Sequence, residues 1–121
     1  MSDPPVTADL FPLYRYRATA TAVDGDTLRC RVQLGFGVEA TVDVRLAGVN
    51  APELVGPTKD AGEAARDWLA RLVEGEALYL RTHKDRRSFA RYLGEVYLAS
   101  PGGALSNVSR LLMDAGHGSP A

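Results

Sequence analysis

The chain has 121 residues, 45% of them apolar and 24% charged, with a net charge of −1. That length suits one domain able to bury roughly two-thirds of its unfolded surface, and the composition excludes a disordered chain, a fibre and a broadly polybasic protein. Cys30 is the lone cysteine, so no internal disulfide and no oxidising compartment is required; with no stretch apolar enough for a signal peptide or a membrane span, a cytoplasmic location is expected.

Residues 1–12 are rich in proline and small polar residues and read as a flexible leader. From Leu13 to Val23 the run LYRYRATATAV places Tyr14, Tyr16, Ala18 and Ala20 on one side and Arg15, Arg17, Thr19 and Thr21 on the other. That is the two-residue period of a half-buried strand. Asp24-Gly25-Asp26 turns the chain into a second strand over 27–34, and Gly35-Phe36-Gly37 turns it again. The third strand alternates most cleanly, with Val38, Ala40, Val42, Val44 and Leu46 inward and Glu39, Thr41, Asp43 and Arg45 outward.

After a connection containing Gly and Pro, Ala61, Ala64, Ala65, Trp68, Leu69, Leu72 and Val73 fall at helical spacing, with Asp60 as N-cap and Gly75 as the stop. Two further strands are expected over 76–82 and 91–98, joined by a basic loop. Pro101-Gly102-Gly103 then breaks the chain before a short helix that points Val108, Leu111, Leu112 and Ala115 inward, with Asn107 as its cap and Gly116 as its end. Five strands with one helix between the third and fourth is the order of an OB-type Greek-key barrel. The fold class is therefore mainly β with α (α+β), in one domain over residues 13–116 followed by a short tail over 117–121.

The near-neutral total hides an asymmetry. Residues 81–91 hold Arg81, Lys84, Arg86, Arg87 and Arg91 against only Asp85, whereas residues 38–76 carry eight acids against four bases. Such a chain binds anions at a site and not over its whole surface. Three stretches supply the chemistry: Asp24-Gly25-Asp26-Thr27, then RLAGVNAPE from Arg45 to Glu53, then Arg91. Together they offer oxygen ligands for a hard cation, a spare carboxylate and two guanidiniums for a phosphate, the parts that metal-assisted phosphodiester cleavage needs. Each alone is commonplace as a turn, a solvated strand face or a surface loop; only the joint pattern is informative. His83 and His117 are not spaced as a zinc pair, Cys30 reads as an inert packing residue, and Tyr14, Tyr16, Tyr79 and Tyr97 read as barrel core or surface.

DGDT, followed about twenty residues later by RLAGVNAPE, then a helix, then a basic loop ending in Arg91-Tyr92-Leu93, resembles the staphylococcal-nuclease (thermonuclease-like) family from about residue 15 to Gly116. The resemblance implies a calcium-dependent endonuclease acting on DNA and RNA, with another divalent cation as the alternative metal; a monomer without a membrane partner is expected. By position, Asp26 matches a calcium-binding carboxylate, Asn50 stands where well-studied members carry a second calcium-binding Asp, and Ala51 would offer its main-chain carbonyl. Arg45 and Arg91 match the arginines that hold the scissile phosphate, and Glu53 the proposed general base. Lys84, Arg86, Arg87 and Tyr92 are the expected substrate contacts. Three departures stand out: Asn50 removes a negative charge, Phe89 and Ala90 replace a tyrosine and a glycine often found before the second arginine, and the family's later tyrosines and final helix have no counterpart before Ala121. The rival expectation is an OB-fold nucleic-acid or protein-binding module whose metal site has weakened.

Overall fold

A computed structural model of the protein describes residues 15–84 and 91–121, apart from the side chains of Lys84 and Arg91. Strand β1 (Arg15–Asp24) hairpins into β2 (Thr27–Gly35), which hairpins into β3 (Val38–Leu46). A sharp bend leads to the two-residue β4 (Val49–Asn50), a 3-10 turn at Gly56–Thr58 and helix α1 (Lys59–Val73). Then come β5 (Leu78–Lys84), β6 (Arg91–Ala99), β7 (Leu105–Asn107), helix α2 (Val108–Asp114) and β8 (Ser119–Pro120).

The main sheet runs β3-β2-β1-β5-β6-β7, and a parallel pairing of β3 with β6 closes it. β1, β2, β3, β5 and β6 thus form a closed five-strand barrel with two helices, an OB-type α+β fold. Alternation explains the closure. Leu28 and Cys30 on β2, Val44 and Leu46 on β3, Leu78 on β5 and Val96 on β6 are fully buried, and apart from the buried Thr27 their chain neighbours are exposed or half-buried. Gly94 on β6 is there because a Cβ would meet Val44 Cγ1 across the parallel pairing.

Several local expectations are corrected. Val38 is 52% exposed, because the β2–β3 hairpin runs past the end of the barrel. Helix α1 buries Gly62, Ala65, Leu69 and Val73, leaving Ala61 and Ala64 exposed and Trp68 half-buried. Thr58, not Asp60, occupies the N-cap position, and its hydroxyl makes no cap: it donates to the carbonyl of Glu53 at 3.0 Å. In α2, Ala115 is exposed, and the buried polar residue is Ser109, which donates to Ala47 O at 2.7 Å. Asn107 does cap α2, accepting from Arg110 N at 3.3 Å. The short strands β4, β7 and β8 were not foreseen; β8 lays Ser119 beside Asn50 and Pro120 beside Val49.

Candidate functional site

Turn and bend meet at one rim of the barrel. Asp24 Oδ1 accepts from Asp26 N at 3.0 Å, the local bond that gives an Asp-Gly-Asp turn its shape. Gly25 lets that turn press against its neighbours: a Cβ there would lie 2.6 Å from Ala51 Cβ and 2.8 Å from Ala65 Cβ. The carbonyl of Asp26 accepts from Leu46 N at 2.8 Å, and its Oδ2 accepts from Ala51 N at 2.9 Å. The β1–β2 turn is thereby tied to both sides of the β3–β4 bend.

Arg45 leaves β3 on the outward face and folds across the bend. Its Nη1 donates to the carbonyls of Leu46 and Val49, both at 3.1 Å, and its Nη2 donates to Asn50 Oδ1. The same Nη2 lies 3.6 Å from Asp26 Oδ2. Three hydrogen-bond acceptors and one nearby carboxylate fix the planar guanidinium, so the cation is held in place before any ligand arrives. Asn50 is fixed as well, by Arg45 on its side chain and by Ser119 on its backbone.

Asp26, Arg45, Asn50 and Ala51 are thus brought into direct contact. Glu53 lies two residues after Ala51 on a loop seated against α1, where Gly62 leaves no room for a side chain beneath the backbone of Pro52 and Glu53. Its side chain is exposed and, among the described residues, makes no hydrogen bond or ion pair. The backbone of Arg91 opens β6 opposite Asp43, two residues before Leu93, the partner of Arg45. The side chains of Arg91 and Lys84, and all of Arg86, Arg87, Phe89 and Ala90, lie outside the described residues. Tyr92 is not brought to this rim: half-buried, it lines a cleft of about 200 Å³ with Tyr16, Val42 and Thr82.

Two residues of the Asp24–Thr27 stretch that had no role of their own in the sequence reading emerge here. Asp24 is half-buried next to Asp26, and its pKa is raised from 3.8, first by burial and then by hydrogen bonding and charge repulsion from Asp26. Thr27 is buried and its hydroxyl reaches Asp26 Oδ1 at 3.4 Å. The signal for Asp24 was its place two residues before Asp26, which reads equally well as a turn.

Asp24 and Asp26 are two crowded carboxylates on this turn, and oxygen groups of this kind suit a hard divalent cation better than zinc. Among the described residues no three Asp, Glu, His or Cys side chains converge on one point. Amide, main-chain and water oxygens would therefore complete the shell. Beside Asn50 and Ala51 a cleft of about 400 Å³ opens toward Thr58 and the segment Gly116 to Ser119.

The family model for staphylococcal nuclease homologues matches residues 43–119. The chain belongs to that family. It is a nuclease-type or nucleic-acid-binding module on an OB-type barrel. A search of the curated proteins finds no match to the chain. Among the described residues, no helix of this staphylococcal nuclease homologue is long and apolar enough to cross a membrane.

Proposed function

We propose that this chain is a metal-dependent nuclease that hydrolyses phosphodiester bonds of DNA or RNA at the barrel rim. The observation that carries the reading is the Asp26 carboxylate, held 2.9 Å from Ala51 N and 3.6 Å from the Arg45 guanidinium, so that an anionic oxygen and a fixed cation share one edge. A calcium ion, held by Asp26 with Asn50 Oδ1 and the Ala51 carbonyl, and with Asp24 beside it, would polarise the phosphate and offset its charge. Arg45 meets the same phosphate from a position already set by three hydrogen bonds and one ion pair, so little reorganisation is needed as charge develops on phosphorus. Arg91 supplies the second guanidinium, and Lys84, Arg86 and Arg87 the flanking phosphate contacts.

Glu53 is the group that takes the proton from the attacking water. Its exposed carboxylate is not bonded to any other described residue, as a base that must exchange its proton with solvent requires. Tyr92 has no part in this reading, because it packs in the other cleft.

One observation favours the rival reading of a binding module: Asn50 brings no charge, and its Oδ1 already accepts from Arg45. Incubation of single-stranded DNA with the wild type in calcium or magnesium, with a chelator control and with Glu53→Gln beside it, separates the two. Cleavage that needs the metal and falls in Glu53→Gln supports the nuclease. Metal-independent binding of intact DNA supports the module, and equal cleavage by both proteins points to a contaminant and defeats the proposal.

A further inference from the structure

The outer surface of β1, β5 and β6 carries a grid that neither the fold nor the rim explains. Cross-strand register places Arg15 opposite Arg81 and Arg81 opposite Glu95 on one rung. On the next, Arg17 faces Tyr79, Tyr79 faces Tyr97, and Tyr97 faces Asn107. Arg15, Arg17, Tyr79, Arg81 and Tyr97 line a cleft of about 410 Å³ edged by the exposed Leu105. The Arg17 guanidinium sits 5.7 Å from the centre of the Tyr79 ring, a cation–π contact that presents ring and cation together.

The charges here differ from those on the rest of the barrel. On β2 and β3, Arg29 is paired with Asp43 at 3.0 Å and Arg31 with Glu39 at 2.8 Å, so that face is neutralised. On the grid only Arg81 has an acid, Glu95 at 2.7 Å. Arg15 and Arg17 have no acidic partner among the described residues. Two arginines directly opposite on paired strands repel each other, so the Arg15–Arg81 rung does nothing for folding.

We propose that this face is a second nucleic-acid site, which holds a single strand by its phosphates on Arg15 and Arg17 and stacks a base on Tyr97. Unpaired guanidiniums beside half-buried rings on an open sheet match a phosphate backbone with its bases splayed, because every base offers a flat face and every linkage an anion. The surface is not the one made by the second and third strands that OB folds commonly use, where this chain has spent its cations on Asp43 and Glu39. It is reachable from the rim. Leu93, the partner of Arg45, lies four residues before Tyr97 on β6, about 13 Å at 3.3 Å per residue. The site goes beyond the nuclease reading and stands whether or not the rim cleaves.

The test is fluorescence anisotropy of labelled dT20 with excess chelator, so that cleavage plays no part. Removing two phosphate contacts, Arg15→Ala with Arg17→Ala should lower the salt slope of log K by about 1.4, at about 0.7 per contact. Tyr97→Ala should weaken binding on the order of tenfold or more, and Tyr97→Phe should retain it, because stacking needs the ring and not the hydroxyl. A thymidine dinucleotide, too short to span both sites, should compete poorly with dT20. Circular dichroism checks that the variants fold. If they do not, photo-crosslinking of an iodouracil-substituted strand to the wild type replaces them, with adducts expected on Tyr79 or Tyr97. Unchanged affinity and slope in the folded arginine variant, adducts only elsewhere, or equal competition by polyglutamate would overturn the proposal. Loss of cleavage in Glu53→Gln with this binding intact would bear on the rim alone.

Discussion

Gly62→Ala sets two physical effects against each other, and the structure says which wins. Gly62 is an interior residue of α1, where alanine is intrinsically better by about 1 kcal/mol. A Cβ there, however, would press on the carbonyl oxygen of Glu53 and lie 2.7 Å from Glu53 C and 2.9 Å from Pro52 O. All three are backbone atoms, so relief requires the whole Glu53 loop or the helix to move, and overpacking of that kind costs about 1–3 kcal/mol. The expected outcome is a net loss of about 1 kcal/mol, read from urea unfolding midpoints, with a larger proportional loss of turnover because Glu53 is displaced. Ala64→Gly, on the exposed side of the same helix, is the control and should lose about 1 kcal/mol with turnover unchanged. A Gly62→Ala protein stabilised by about 1 kcal/mol with normal turnover would refute the seating of the loop on the helix.

Asn50→Asp restores a charge beside Asp26, so calcium should bind more tightly in a calorimetric titration, and an identical affinity would show that position 50 is not a ligand. Ser109→Ala removes the donor to Ala47 O at 2.7 Å beneath the bend that carries Arg45, and should cost about 1–3 kcal/mol in denaturant unfolding. Asp24 has its folded pKa raised from 3.8, chiefly by burial, so the folded state binds its proton more strongly than the unfolded state does. Its contribution to stability is therefore largest in acid and is lost as the pH rises from 3.8 through the raised value. With chelator present, Asp24→Asn should gain stability relative to wild type over that window, and calcium should narrow the difference; a relative loss with rising pH would contradict it.

The barrel was legible because its strands alternate strictly. From Leu28 onward the buried residues of β2 alternate with exposed ones, as do Val44 and Leu46 of β3 with the half-buried Arg45, and the boundaries of β3 were read to the residue. What was hidden depends on contacts between distant parts of the chain. Ala61 and Ala64 belong on the apolar stripe by spacing alone, but the Pro52–Glu53 backbone approaches the neighbouring face, where only Gly62 fits. Thr58 is an ordinary cap residue by type, and its hydroxyl is taken by Glu53. The two- and three-residue strands β4, β7 and β8 carry no periodicity to read. At the site, the family resemblance pointed to Asp26, Arg45, Asn50 and Ala51, and these do meet. The crowding of Asp24 on Asp26 was not legible, because a burial shift depends on what covers the turn. Tyr79 and Tyr97 read as ordinary surface or core until register set them on one rung beside Arg17.

The central claim is that the Asp26 rim holds a divalent cation for phosphodiester hydrolysis. The most direct measurement is the initial rate of single-stranded DNA cleavage against calcium concentration, for the wild type and for Asp26→Asn. The account expects a saturable curve for the wild type, abolished by chelator, and a curve for Asp26→Asn displaced to higher calcium by at least about tenfold, since a carboxylate is lost from the shell. Superimposable curves, or a wild-type rate indifferent to chelator, would contradict it.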